Sequence, residues 1–525
     1  MWFMKRRKHR SEPWALSGVL LHWSRTDAWT IGDACQGTSV FGATGAGKTS
    51  GSGQAIARSL LRQGFGGLVL TAKPDDGEVF QGYCRQEGRQ DDVVRFDATG
   101  QHRYSFLDEE LNRKGIGAGL TENLVLMFST VLEIAERNGG QGGREDEGYW
   151  KRALRQLCRN LIDLLVLARG KVTIPELYRL VVSAPTSFDQ IRSEEWKQQS
   201  FCFQCLAEAD GKAKTDRQQR DFELVADFFM QEFPGLSDKT RSVVVSTFTS
   251  MADVLNRGIL RDLFSTDTTI RPEDAFDGKV IIVDLPVKEF AEVGQFAQVL
   301  WKYCFQKAAE RRDLQANNRP VFLWADEFQL FSTSNDALFQ TTARSARVAT
   351  VYLTQNYSNL LASFGGEQAR AQTDSLLGNL QTKVLHGNGD PVTNEWAAGL
   401  IGRTRQYFFS MNSSCAPTDP WQRLVGGYED PQNGRDVGTN GVRGAASCLH
   451  VAADWWPCQS MDRGLHCLSG RQGVRRKRAH LAACQFRPKK WPPHGVRAAC
   501  AGQRIQFLTQ KQKVNKHEYE STRSR

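Results

Sequence analysis

The run Gly42-Ala43-Thr44-Gly45-Ala46-Gly47-Lys48-Thr49 sets two glycines, with four residues between them, ahead of a lysine and a threonine. Glycines there let successive backbone N–H groups turn inward around an anion, and a helix that starts at the loop adds the positive end of its dipole. This is chemistry for phosphate. Lys48 is expected to reach the β and γ oxygens of a nucleoside triphosphate, and Thr49 to set its hydroxyl on Mg²⁺. The binding set is Gly42, Ala43, Thr44, Gly45, Ala46, Gly47, Lys48, Thr49 and Ser50, with ATP and Mg²⁺ as the expected ligands. A glycine-rich turn before a helix is the plainer alternative. The apolar pair Val40-Phe41 ahead of the loop, and the helix face of Ala55, Ile56, Leu60 and Leu61 after it, favour the phosphate reading.

A second constellation is Val321-Phe322-Leu323-Trp324-Ala325-Asp326-Glu327, an apolar strand that ends in two carboxylates. Asp326 is expected to hold the hydration shell of the metal, and Glu327 to polarise the water that attacks the γ-phosphate in line. Two acids are needed because one is committed to the metal; a buried strand surfacing in an acidic turn is the alternative. Gln355 ends another apolar strand, Ala349-Thr350-Val351-Tyr352-Leu353-Thr354, where its amide could sense the γ-phosphate. Arg344 and Arg347 lie on an expected helix from Thr341 to Arg347, either as guanidinium groups delivered to a phosphate or as two solvated surface arginines. Lys73 and Asp75 read as a turn rather than a site. Cys202-Phe203-Gln204-Cys205 is one pair without a second, whereas a tetrahedral zinc site needs four ligands.

Positioning these groups requires a sheet. Short apolar, β-branched runs at Ser39–Phe41, Gly67–Thr71, Val280–Asp284, Val321–Ala325 and Ala349–Thr354 alternate with amphipathic helices, the pattern of an α/β fold with a mostly parallel sheet. Between the second and third runs, Leu124, Met127, Phe128, Val131 and Ile134 recur at helical spacing, as do Trp150, Ala153, Leu154, Leu157, Leu161, Leu164, Leu165 and Ala168. The expected division is residues 1–107 and 270–405 as the two parts of a nucleotide-binding domain, 108–269 as an inserted all-α domain, and 406–525 as a tail. Residues 138–148, rich in glycine and charge, read as a mobile loop.

The chain has 525 residues, 40% hydrophobic and 24% charged, which excludes disordered and collagen-like classes. No apolar run approaches the roughly 18 residues of a membrane span. The basic N-terminus, Lys5 to Arg10, is not followed by a small-residue cleavage site, so the chain reads as cytoplasmic. Its net charge of +10 is unevenly placed: residues 406–525 carry 19 Lys+Arg against 8 Asp+Glu, leaving 49 against 50 for residues 1–405. The tail also holds six of the twelve cysteines and four tryptophans. With neither period 2 nor period 3.6 sustained there, it reads as a disordered or frameshifted segment rather than a native domain; a basic DNA-binding tail, best at residues 471–490, is the competing reading.

The runs Val40-Phe41-Gly42 to Gly53, Trp324-Ala325-Asp326-Glu327-Phe328, and Ala343-Arg344-Ser345-Ala346-Arg347 to Leu353-Thr354-Gln355 resemble the TraG/TraD-type coupling ATPases of conjugative type IV secretion, in the FtsK/HerA superfamily. The similarity runs from about residue 20 to residue 405 and includes the inserted helical segment. It implies a RecA-like P-loop ATPase, a homo-hexamer that moves DNA and attached protein to a secretion channel, with relaxosome or channel proteins as partners. It implies catalytic roles for Lys48, Glu327 and Gln355, metal binding by Thr49 and Asp326, and an arginine finger from a neighbouring subunit at Arg344, with Arg347 in reserve. Residues 1–24 do not supply the membrane helices with which many members begin, so membrane recruitment would fall to partners. Lys73-Pro74-Asp75 matches the family's lysine motif only in part. Alternative functions are a HerA- or FtsK-like translocase on double-stranded DNA, or a nucleotide-binding docking protein without turnover.

Overall fold

The computed structural model describes residues 13–115, 117–138, 147–401, 403–412, 433–442 and 466–469. A short antiparallel pair, β1 (Val19–His22) and β2 (Ala28–Thr30), precedes the main sheet. The sheet is built from β3 (Thr38–Phe41), β4 (Gly66–Leu70), β5 (Val93–Asp97), β6 (Val280–Asp284), β7 (Val321–Ala325), β8 (Val348–Thr354) and β9 (Thr382–Leu385). These seven are parallel, in the order β9-β3-β8-β7-β4-β6-β5. The fold is that of a RecA-like P-loop ATPase: an α/β architecture with a mostly parallel sheet. All five strands expected from sequence are present; β5 and β9 add to them. Each was hidden by a cation, Arg95 in Val-Val-Arg-Phe-Asp and Lys383 in Thr-Lys-Val-Leu. Lys383 is buried all the same, and burial pushes its pKa down to about 8.

Side chains alternate between two apolar layers, as strand geometry requires. On one face Val40, Val69, Ile282, Phe322, Trp324, Val351 and Val384 pack against Ile56, Leu60 and Leu61 of helix α1 (Gln54–Arg62) and against Phe80 and Cys84. On the other, Phe41, Leu70, Phe96, Ile281, Val283, Leu323 and Tyr352 meet helix α2 (Val287–Arg311), which is broken at Ala291 (φ 47°, ψ −127°). Gln298 of α2 clamps the ends of β4 and β6: its Oε1 accepts from Thr71 N, and its Nε2 donates to Thr71 O, Val283 O and Leu285 O at 2.9–3.1 Å.

The segment between β5 and β6 is helical from Phe106–Asn112 to Gly258–Phe264. Leu124, Met127 and Phe128 are buried in the helix Thr121–Asn138, and Leu154, Leu157, Leu161, Leu164, Leu165 and Ala168 in Glu147–Arg169, as their spacing implied. This helical core is continuous with the second sheet face, through ring contacts of Phe96 with Phe264 and Trp301 and of Phe106 with Phe128. Of the expected loop at residues 138–148, residues 139–146 lie outside the described residues. Among the described residues, no helix is long and apolar enough to cross a membrane.

Beyond residue 402, β10 (Arg403–Asn412) and β11 (Asn433–Val442) pair antiparallel over ten residues, and β12 (His466–Ser469) adds antiparallel to β9. The sequence pattern gave no expectation of these strands. The rest of the tail, with most of its cysteines and its basic run at residues 475–478, lies outside the described residues.

Candidate functional site

In a parallel sheet every strand delivers its C-terminal residue to one edge, and the loops there form the binding crevice. The ends of β3, β8, β7 and β4 are neighbours at that edge, with β8 between the strand of the glycine loop and the strand of the acids. The loop Gly42–Gly47 leaves β3. Gly45 (φ 78°) and Gly47 (φ 84°) adopt the left-handed conformation, and a Cβ built on either would meet nothing within 4 Å, so backbone lines open space. A wide π-helical turn, Lys48–Gly53, continues into α1.

Lys48, Asp326 and Glu327 are all buried. Thr49 Oγ1 donates to Asp326 Oδ2 at 2.7 Å, so the hydroxyl and carboxylate expected to share a metal are adjacent. Asp326 Oδ1 accepts the Glu327 N–H at 2.9 Å. Glu327 itself is left-handed (φ 50°, ψ 46°), a conformation costing about 1–3 kcal/mol that persists only where its surroundings impose it. Its carboxylate is held from four sides. Lys48 Nζ lies 3.7 Å and Lys73 Nζ 3.3 Å from Oε1, Gln355 Nε2 donates to Oε1 at 3.3 Å, and Gln329 Nε2 to Oε2 at 2.9 Å. Burial acts to raise the carboxyl's pKa, but the Gln329 hydrogen bond, the two lysine cations and Gln355 outweigh it and hold it below the usual value. Gln329 in turn accepts from Thr354 Oγ1 at 2.8 Å, tying the acid to the end of β8.

Lys48, Thr49, Asp326, Glu327 and Gln355 are thus brought together. Arg344 is not: it is exposed at the C-cap of helix α3 (Asn335–Ala343), ahead of β8. Seven residues of β8 separate that edge from Gln355, roughly 20 Å at strand rise. Arg347 is engaged within its own chain. Its guanidinium donates to Trp14 O and Asn318 O, both at 3.1 Å, and its backbone is left-handed (φ 52°) because it turns the chain into β8.

Lys73, read from sequence as part of a turn, belongs to the site. The turn is real, since Ala72 N and Lys73 N donate to Asp76 Oδ2 at 2.9 and 2.8 Å, but it aims Lys73 at Glu327. The signal that finds it is topological: it follows β4, the neighbour of β7, at the same edge of the sheet. Gln329, and His386 at the end of β9, were likewise missed.

A loop of backbone donors opening onto bare space, with a lysine, a hydroxyl–carboxylate pair and a second acid facing it, suits a nucleoside triphosphate with its divalent cation. The fold and this arrangement are those of a P-loop. Residues 320–424 match the family described as the TraM recognition site of TraD and TraG, running past residue 406, where the sequence pattern breaks. No curated protein matches the chain. Similar solved structures include the bacterial conjugative coupling protein TrwBdeltaN70 in an unbound monoclinic form (TM-score 0.50, 15% identity, covering 81% of each chain). Others are the plasmid coupling protein TrwB with the GTP analogue GDPNP (0.51, 15%, 86% of each chain) and with ADP and Mg²⁺ (0.51, 15%, 86% of this chain and 85% of that one). At 15% identity that likeness is one of fold. Together with the family match it makes the chain similar to the TraG/TraD-type conjugative coupling proteins.

Proposed function

We propose that this chain is an ATP-hydrolysing DNA translocase that acts as a coupling protein, delivering DNA and attached protein to a conjugative type IV secretion channel. The observation that carries the enzymatic part is the meeting of Thr49, Asp326, Glu327 and Lys48 beneath an open glycine loop. The conjugative part is supported by the match over residues 320–424 and by the likeness to coupling-protein structures.

In this reading the Gly42–Gly47 backbone N–H groups bind the phosphates and Lys48 orients the β and γ oxygens. Thr49 Oγ1 and Asp326 would hold Mg²⁺, which when bound would neutralise phosphate charge. Glu327 orients the attacking water and takes its proton at the carboxylate, while Gln355 and Gln329 fix that carboxylate's plane. Arg344 serves a neighbouring subunit of a homo-hexamer. Residues 108–269, as an inserted all-α domain, and the family-matched region together engage relaxosome or channel proteins. The test is ATP turnover with and without DNA in three proteins. The parent should turn over and be stimulated by DNA, Lys48→Ala should lose nucleotide binding, and Glu327→Gln should bind but turn over at least about a hundredfold more slowly. A Glu327→Gln rate equal to the parent's would remove the water-orienting role, and a parent without turnover in assemblies of confirmed mass would refute the enzyme.

A further inference from the structure

The segment after β9 has no part in the chemistry above, yet it is stitched to the glycine loop along its length. The His386 N–H donates to Phe41 O at 2.8 Å, and the Ala43 N–H to Gly387 O at 3.1 Å. His386 Nε2 lies 2.7 Å from Ser52 Oγ. A Cβ on Gly42 would come within 2.8 Å of His386 Cβ, so the histidine rests directly on the loop's first glycine. On its other side, Asn388 Nδ2 donates to Gln355 O at 2.7 Å, which joins the segment to the end of β8.

We propose that His386, acting through Ser52, is a positioning residue that holds the glycine loop in its phosphate-receiving shape. Ser52 is buried in the wide turn Lys48–Gly53, and its Oγ also reaches Lys48 O at 3.4 Å. Fixing that hydroxyl fixes the turn that carries both Lys48 and Thr49. Left-handed glycines give the loop many alternative shapes, and a ligand that must first select one binds more weakly in proportion to the fraction that is competent. A brace from β9 raises that fraction without touching the ligand. Burial, with the Lys48 cation nearby, pushes the imidazole pKa down to about 4 against an opposing Ala46 backbone hydrogen bond, so the brace is uncharged near neutrality and adds no charge beside Lys48.

The inference rests on the nucleotide reading of the loop, and its test separates the two. Fluorescent ADP with Mg²⁺ is titrated into the full chain as the parent, Ser52→Ala, His386→Phe, the double variant and His386→Gln, with thermal unfolding measured for each. His386→Phe keeps a ring against Gly42, whereas the His386→Gln amide reaches as far as Nε2 and restores a hydrogen bond to Ser52. Each of the first two should weaken Kd about five- to tenfold, the size of one buried hydrogen bond. The double variant should be no weaker than the singles, because both remove the same contact, and His386→Gln should return to within about twofold of the parent. Singles that bind as the parent does, or losses that multiply in the double variant, overturn the brace alone. A parent that binds no nucleotide overturns the brace and the nucleotide reading together.

Discussion

Replacing Lys73 by methionine removes one of the two cations on Glu327 while keeping an unbranched side chain of nearly the same length. At 3.3 Å and an effective dielectric near 20, the bare attraction would be about 5 kcal/mol. The Lys73 side chain is 38% exposed, however, so solvent screening reduces the net worth of the pair to about 1 kcal/mol. The carboxyl is held below its ordinary value, so its stabilising effect is fully present above the unfolded-state pKa of about 4.3 and is lost as pH falls through the folded value. Lys73→Met should therefore unfold at a lower temperature than the parent near pH 7, with the gap closing as pH drops below about 4. In a Glu327→Gln background the gap should shrink to the part that Lys73 owes to the nearby Asp326 and Asp76 carboxylates. Because Lys73 acts on the base and not on the phosphates, kcat near pH 7.5 should change by no more than about threefold, upward if at all, since a less stabilised carboxylate is the stronger base. pH-resolved thermal unfolding and steady-state turnover measure both. A hundredfold fall in kcat, or a stability gap independent of pH, would refute the argument and make Lys73 a phosphate ligand instead.

If Arg344 serves a neighbouring copy, mixing Arg344→Ala with Glu327→Gln protein should recover part of the turnover that each lacks alone; equal inactivity in assemblies of confirmed mass would count against it. Lys302 and Asp336 form a fully buried pair in which Gln306 Nε2 and Tyr352 OH also donate to Asp336. Lys302→Met should cost about 3–5 kcal/mol by stranding the carboxylate, read by denaturant unfolding, and adding Asp336→Leu should recover most of it. The tail was expected to leave its native frame near residue 406, but the family match runs on to residue 424; beyond that point we expect the coding DNA to show an open, amphipathic sequence in one of the other two forward frames. Stop codons throughout both would rule out a shifted frame.

The parts of the site legible in the sequence were those whose chemistry is local. Gly42 to Thr49 carry their meaning within eight residues, and Asp326-Glu327 announce themselves at the end of an apolar run. What stayed hidden depends on strand order, which no spacing along the chain encodes. Lys73 and Glu327 are 254 positions apart and meet only because β4 and β7 are neighbours. His386 and Ser52 meet only because β9 is the outer neighbour of β3. Strands were missed because a cation breaks each apolar pattern: Arg95 is drawn to Asp284 across the β5–β6 pair, a neighbour invisible in one dimension, while the buried Lys383 turns its ammonium onto the Leu380 carbonyl three residues earlier.

The same topology bears on how turnover would be controlled. In the proposed function everything gathered at the C-terminal edge (Lys48, Thr49, Asp326, Glu327, Gln355) would bind, hold a metal or orient water, and Glu327 starts out held by two lysine cations and two amide donors, so it has little freedom to receive a proton. Arg344 stands at the opposite edge, beyond the length of β8, and no side-chain rotation spans roughly 20 Å. An arginine so placed cannot complete the site of its own chain; if it completes one, that site belongs to another copy. Hydrolysis would then require two conditions at once, a ligand that draws Lys48 away from Glu327 and a neighbour that presents Arg344. A chain with this arrangement would bind nucleotide alone and turn it over only when assembled.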